Sequence, residues 1–103
     1  MSVRMIRKAQ IDSSDGATVG TWIREYTATM QTLAPSGVEI RSWRQIFGTY
    51  GLAYWTFDAP DVAVLDVFLN GLGRDSALAD VMVRGSSLFV SGMTTDVLLR
   101  EVQ

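Results

Sequence analysis

The chain has 103 residues, of which 48% are hydrophobic and 19% are charged, so we predict a single packed domain over residues 1–103. Histidine and cysteine are both absent, which excludes disulfides, thiolate chemistry, a histidine-ligated haem and a Ser-His-Asp triad within this sequence. The net charge of −2 gives the molecule no general attraction to nucleic acid or to anionic lipid.

Residues 3–11 alternate apolar and polar side chains with a period of two, which is typical of a strand. Arg7 interrupts its apolar face, which otherwise contains Val3, Met5, Ala9 and Ile11. Residues 12–16 then offer a turn and N-cap oxygens. The next segment is predicted to be a helix that ends at Pro35, because its apolar residues recur every three or four positions: Val19, Trp22, Ile23, Tyr26, Met30 and Leu33.

Residues 38–47 and 52–58 are predicted to be two strands joined by a four-residue loop, 48–51, with a glycine at each end. This loop would pair residue 45 with 54, 43 with 56 and 41 with 58. The face toward the helices would contain Val38, Ile40, Ser42, Ile46, Ala53, Trp55 and Phe57, with Arg44 extending outward. The opposite face would contain Glu39, Arg41, Trp43, Gln45, Phe47, Leu52, Tyr54, Thr56 and Asp58. A loop one residue shorter would exchange the faces of one strand, so alternation leaves this assignment open.

The remaining residues are expected to form two helical segments and a last strand. Residues 58–61 end the preceding strand and cap a helix with the apolar stripe Leu65, Phe68, Leu69 and Leu72. A further helical segment is predicted at 76–83, a short extended piece at 88–90 and a strand at 94–102. The order βαββαβ indicates an α+β, ferredoxin-like fold with a four-stranded antiparallel sheet and helices on one face.

The other face of this sheet is open and combines large aromatic side chains with charges. By alternation, the outer strands would add to it Arg4, Ile6, Lys8, Gln10, Asp96, Leu98 and Arg100. Such a patch is large for a monomer, so we expect a second copy of the chain to cover it and form a homodimer. Two pairs, Arg41 with Asp58 and Lys8 with Asp96, are predicted to be cross-strand ion pairs.

Trp43 and Tyr54 project from the same open face on adjacent strands. They either pack in the dimer interface or wall a flat aromatic ligand, with Arg41 and Gln45 as polar anchors. By contrast, we expect Trp22, Tyr26, Trp55 and Phe57 to be ordinary core residues.

Residues 51–62 (GLAYWTFDAPDV), the helix that follows them and residues 74–76 (RDS) resemble the dimeric α/β-barrel superfamily, especially its NIPSNAP-like members. The resemblance spans nearly the whole chain and lies in element order, not in a diagnostic motif. It implies that two sheets pack face to face and that the barrel encloses a small hydrophobic or aromatic ligand. The superfamily's activities include cofactor-free oxygenation of aromatic polyketides, cyclisation, isomerisation and haem-dependent reactions, and fold alone does not choose among them.

The hypothesis that follows from the resemblance is a small-molecule-binding dimer. As an enzyme it would be a metal-independent monooxygenase or cyclase that needs no cofactor and acts on an aromatic or polyketide-like substrate. Without histidine, proton transfer would fall to Tyr54, Asp96 or Glu39, and Arg41 or Lys8 would stabilise an enolate or phenolate. Trp43 and Gln45 would complete the binding site. A dimeric binding or accessory protein without turnover is the alternative.

An RNA-recognition motif has the same order of elements and is the weaker alternative. Its third-strand signature aligns with residues 50–57, where Gly51, Ala53, Tyr54 and Phe57 match. Tyr50 stands in place of the basic residue, and Leu52 in place of the first stacking aromatic. The first strand also lacks an aromatic residue, so we do not expect nucleic-acid binding.

No apolar run approaches the ~20 residues that cross a bilayer, and no apolar segment follows residues 1–4 as in a secretory signal. We therefore expect a cytoplasmic protein without a membrane anchor. Eight arginines against one lysine are typical of a GC-rich bacterial genome.

Overall fold

A computed structural model describes residues 2–48 and 50–102, and its elements follow the predicted order. The strands are β1 (Val3–Gln10), β2 (Glu39–Arg44), β3 (Leu52–Ala59) and β4 (Thr95–Arg100), and the helices are α1 (Gly16–Leu33), α2 (Val62–Leu72) and α3 (Ser76–Gly85). The strands form one antiparallel sheet in the order β2-β3-β1-β4. The predicted ferredoxin-like α+β fold is therefore confirmed. Within the described residues, no helix is both long and apolar enough to cross a membrane.

Each of the three helices begins after an aspartate that caps its free backbone N–H groups. The carboxylates of Asp15, Asp61 and Asp75 accept hydrogen bonds from the amides of residues 18, 64 and 78, at 3.1, 2.9 and 2.8 Å. Asp15 also accepts a hydrogen bond from the Thr18 hydroxyl, and this contact lowers the pKa of Asp15 below its ordinary value. These caps set the helix starts, and the extended backbone of Ala34 before Pro35 ends α1.

The core lies between the helices and one face of the sheet. Trp22, Tyr26, Trp55 and Phe57 are all buried, as predicted. The indole N–H of Trp22 donates to the carbonyl of Val81 at 2.8 Å, and that of Trp55 donates to the Thr27 hydroxyl at 3.2 Å. The polar atoms of the buried indoles are thus satisfied, as stable burial requires.

The β2–β3 hairpin differs from the prediction by two residues of register. Trp43 pairs with Tyr54 and Arg41 with Thr56, because β2 ends at Arg44 and the connection is longer than four residues. Gly48 and Gly51 have positive φ angles (89° and 80°), which a glycine adopts without strain. Because the shift is two residues, the paired residues of β2 and β3 remain on their predicted faces. The exceptions are Ile46 and Phe47, which lie in the connection and are exposed.

The new register removes one predicted ion pair. Asp58 lies opposite Glu39 instead of Arg41, and its carboxylate accepts two hydrogen bonds from Arg4, at 2.6 and 3.0 Å. Arg41 instead contacts Glu39 at 3.4 Å on its own strand. The predicted Arg41–Asp58 pair is therefore wrong.

The side chains of β4 lie on the opposite faces of the sheet from those predicted. Asp96 pairs with Arg7, and the next two pairs along these strands are Leu98 with Met5 and Arg100 with Val3. Directly opposed residues of antiparallel strands share a face, so these β4 side chains face the helices, and Thr95, Val97 and Leu99 lie on the open face. The predicted Lys8–Asp96 pair is wrong for the same reason, since Lys8 lies opposite Thr95.

Candidate functional site

The side chains predicted for a site on the open face form a row across the sheet. Trp43 lies opposite Tyr54, and Tyr54 lies opposite Lys8. The Tyr54 hydroxyl donates to Gln45 Oε1 at 2.6 Å, and the Trp43 indole N–H donates to the Thr56 hydroxyl at 2.9 Å. Their polar groups therefore bind neighbours in the sheet and hold the aromatic rings in place.

The two basic residues predicted for substrate binding on this face, Arg41 and Lys8, are exposed. Arg41 forms an ion pair with Glu39 at 3.4 Å, and both side chains are well solvated. Such solvated charges contribute little binding energy unless a partner buries them.

Asp96 lies on the opposite side of the sheet from the other predicted site residues. The structure therefore does not bring Tyr54 and Asp96 together, and the two cannot act on one substrate within a protomer. Asp96 instead lies at a cleft between the sheet and α3, and this cleft is a second candidate site.

The cleft consists of two adjoining recesses with volumes of about 260 and 350 Å³, which share Arg7, Tyr26 and Met82. The second volume lies at the lower end of the range of about 300–1,000 Å³ that is usual for small-molecule pockets, and the first lies just below it. The first recess lies beside residues 89–94, and the second lies beside the end of α2. Residues of β1, β3, α1 and α3 form their walls, notably Ala9, Trp55, Trp22, Leu78 and the backbone of Gly85.

Arg7 is the charged group at the junction of the two recesses. Its Nε and Nη2 atoms donate to the two carboxylate oxygens of Asp96 at 2.9 and 3.1 Å, and Nη1 donates to the Tyr26 hydroxyl at 3.2 Å. The side chain is 27% exposed, and its Cζ atom lies 5.9 Å from the centre of the Phe57 ring. The hydrogen bond with Asp96 raises the pKa of Arg7, so the guanidinium remains charged.

Aromatic rings surround this ion pair on the side of the first recess. Trp22 stacks on Tyr26 with ring centres 4.8 Å apart, and Trp55 meets Tyr26 edge to face at 5.3 Å. Phe89 packs against Trp22 at 5.1 Å. A polar group at the end of an aromatic wall is the usual composition of a site that orients a small apolar ligand.

Among residues 2–48 and 50–102, no group of three or more acidic side chains is positioned to hold a metal ion. The polar groups in the walls are the Arg7 guanidinium, the carboxylates of Asp75 and Asp96, the Tyr26 phenol and the hydroxyls of Ser86, Ser91 and Thr94.

A scan against protein-family models finds no match, and neither does a search of curated protein sequences. Solved structures do match. A NIPSNAP family protein from Agrobacterium tumefaciens superposes with a TM-score of 0.81 at 13% identity, covering 99% of this chain and 94% of that one. A NIPSNAP-like domain protein from Burkholderia xenovorans gives 0.80 at 8% identity, with coverages of 98% and 85%. The fold is that of the NIPSNAP proteins.

A variant of SnoaB, a cofactor-independent oxygenase from Streptomyces nogalater, also superposes on this NIPSNAP fold. Its TM-score is 0.70 at 10% identity, covering 99% of this chain and 94% of that one. The resemblance to the dimeric α/β-barrel superfamily and its NIPSNAP-like members is thus confirmed for the fold. At these identities the likeness extends to the fold alone.

Within this NIPSNAP fold, sequence analysis missed the groups that define the cleft. In the sequence pattern, Arg7 is a defect in the apolar face of β1, and Tyr26 is a core residue only. The available signal was the arginine itself, because a charge at a core-facing position needs a partner of opposite charge or a hydrogen-bond acceptor. The partner, Asp96, was among the predicted site residues, but it was assigned to the wrong face.

Proposed function

We propose that the protein binds a small aromatic or polyketide-like molecule in the cleft around Arg7. The supporting observation is the Arg7 guanidinium, which is mostly buried at the end of an aromatic wall and beside two recesses of ligand size. The aromatic rings would pack against the ligand, and Arg7 with the Tyr26 hydroxyl would fix the position of a ligand oxygen.

The proposal includes a homodimer in which the open faces of two sheets pack together. Trp43, Val97 and Leu99 on this face are 49%, 52% and 46% exposed in the single chain. Together with half-buried Ile6 and Tyr54 they form an apolar surface that a monomer would leave in water. A second copy is the simplest cover, and it would give Trp43 and Tyr54 a packing role.

A second candidate function is cofactor-independent oxygenation or cyclisation, favoured by the carboxylate of Asp96 beside the Arg7 guanidinium. An acidic CH2 group next to a carbonyl would lose a proton to Asp96, and Arg7 would stabilise the enolate oxygen. The enolate would then reduce dioxygen. One oxygen atom becomes a new carbonyl on that carbon, and the other leaves as water with the two hydrogens of the CH2 group.

Of the two proposals, ligand binding without turnover requires less, because it needs only the cleft and no reaction at Asp96. From the sequence we also expect a cytoplasmic location and a bacterial source. RNA binding finds less support, because Arg4 and Arg41 on the open face already contact acidic side chains.

A thermal-shift titration with 2-acetylnaphthalene tests the proposed site. Binding to the folded state raises stability by mass action, by about 2.7 kcal/mol when the ligand is at 100 times its Kd. We expect the wild-type melting temperature to rise with ligand concentration. Arg7→Met should abolish the rise while keeping the apolar stem of the side chain. If Arg7→Met does not fold, Tyr26→Phe serves as the second variant and should weaken binding.

The matched control for this titration is Arg41→Met, which removes an arginine from the open face. It should leave the ligand response unchanged. A response that Arg41→Met removes and Arg7→Met retains would contradict the proposed site and would favour the open face.

A further inference from the structure

The cleft around Arg7 has an unusual charge balance for a site built on an arginine. Asp96 binds the guanidinium through both of its oxygens and neutralises it within the cleft. Asp75, whose carboxylate caps α3, adds a second acidic group to the wall of the second recess. Among the described residues, Arg7 is the one basic side chain in the walls of either recess. The walls therefore have a net charge of −1.

This balance disfavours a ligand that is already an anion. A ligand carboxylate would have to displace Asp96 from Arg7 or lie beside it, and like charges repel more strongly in a partly buried cleft than in water. Displacement would also break the two charge-assisted hydrogen bonds between Arg7 and Asp96. In both cases the affinity for a ligand carboxylate is lowered.

A neutral ligand oxygen meets no such obstacle. A guanidinium has five N–H groups, and the described residues accept hydrogen bonds from three of them. The others are available to a carbonyl or phenol oxygen while the bond to Asp96 stays in place. A neutral ligand also keeps the charge of the Arg7–Asp96 pair unchanged.

We infer that Asp96 determines ligand charge, so that the cleft selects neutral aromatic ketones and phenols over aromatic carboxylates. The inference rests on the proposed function, because it names the ligand class of the same cleft. Asp96 acts as a specificity-determining residue through its effect on Arg7.

The experiment compares 2-acetylnaphthalene with 2-naphthoate, which have the same ring system and differ mainly in charge. Affinities are measured at neutral pH by tryptophan fluorescence and calorimetry with the full chain. We expect the wild-type protein to bind the ketone at least about tenfold more tightly than the carboxylate. Asp96→Asn should improve naphthoate binding about tenfold or more and change ketone binding little. Asp96→Glu, which keeps a carboxylate, should retain the wild-type preference.

The matched control is Asp58→Asn. Asp58 also forms a bidentate ion pair with an arginine, Arg4, but on the open face of the sheet. This variant should leave the preference unchanged. Equal or tighter wild-type binding of naphthoate would overturn the inference while supporting a ligand site, and so would an unaltered preference in Asp96→Asn. Failure of both probes to bind would overturn the proposed function as well. If Asp96→Asn does not fold, equal or tighter wild-type binding of naphthoate still overturns the inference, and Asp96→Glu still tests whether a carboxylate at this position keeps the preference.

Discussion

Gly85 of α3 lies directly against the indole ring of Trp22, so closely that a Cβ atom at position 85 would overlap the ring. Trp22 is held there by its hydrogen bond to the carbonyl of Val81, one turn earlier on α3. This contact fixes the distance between α1 and α3, and it forms part of the wall of the first recess.

Gly85→Ala should therefore destabilise the protein despite the higher helix propensity of alanine. Displacing a packed indole costs about 1–3 kcal/mol, and the Val81 hydrogen bond would be strained or lost. Chemical denaturation measures the change. Gly71→Ala in α2 is the control, because nothing lies within 4 Å of a Cβ at that position. We expect it to be neutral or stabilising by up to about 1 kcal/mol. Equal effects of the two variants would show that the α1–α3 contact is assigned wrongly.

The proposed homodimer implies that a charge on the open face weakens association. Trp43→Glu would place a carboxylate between two packed sheets, so the variant should sediment as a monomer at concentrations where the wild type is a dimer. The control is Val67→Glu on α2, since Val67 is 73% exposed on the helical side. A wild-type protein that is monomeric at micromolar concentration would contradict the dimer directly.

Tyr54→Phe tests whether the open-face tyrosine takes part in ligand chemistry. Its hydroxyl donates to Gln45 Oε1 at 2.6 Å, so the variant should lose about 0.5–1.5 kcal/mol of stability. Ligand affinity and dimerisation should not change, because the ring remains and the cleft lies on the other side of the sheet. Lower affinity for the ligand, with the dimer intact, would instead support the catalytic role that the sequence suggested for Tyr54.

The Glu25–Arg84 ion pair joins α1 to α3, and its contribution to stability should depend on pH. Arg84 donates to both Glu25 oxygens, at 2.9 and 2.7 Å, and this bonding lowers the pKa of Glu25 below its ordinary value of 4.5. A lowered folded-state pKa contributes stability above the ordinary pKa, and this stability is lost as the pH falls through the folded-state value. Carboxyl NMR should show the Glu25 titration moving upward in Arg84→Met. An unchanged midpoint would mean that the pair does not form in solution.

The order of elements was predictable because most segments have one clear period. The α1 stripe and the alternation of β1 left little choice of structure, and the aspartates marked the helix starts. The hairpin register was not predictable, because Ile46 and Phe47 continue the alternation of β2 into a connection where they are exposed. The Arg41–Asp58 ion pair, which depended on this register, was accordingly wrong.

Which face of the sheet each β4 side chain lies on was not predictable either, for a different physical reason. Val97, Leu98 and Leu99 are three consecutive apolar residues, so periodicity could not decide which of them faces the helices. The pairing of Arg7 with Asp96 decides which β4 residues face the helices, and that contact joins residues near opposite ends of the chain. The candidate cleft could not be found from local patterns for the same reason.

The three tryptophans offer the most direct test of the claim that the cleft, and not the open face, binds the ligand. Trp22 and Trp55 lie in the wall of the first recess, and Trp43 lies on the other side of the sheet. A ¹H–¹⁵N spectrum recorded during titration with 2-acetylnaphthalene resolves their indole N–H signals separately. We predict saturable shifts of the Trp22 and Trp55 signals with the Trp43 signal unmoved. A shift of Trp43 alone would contradict the account.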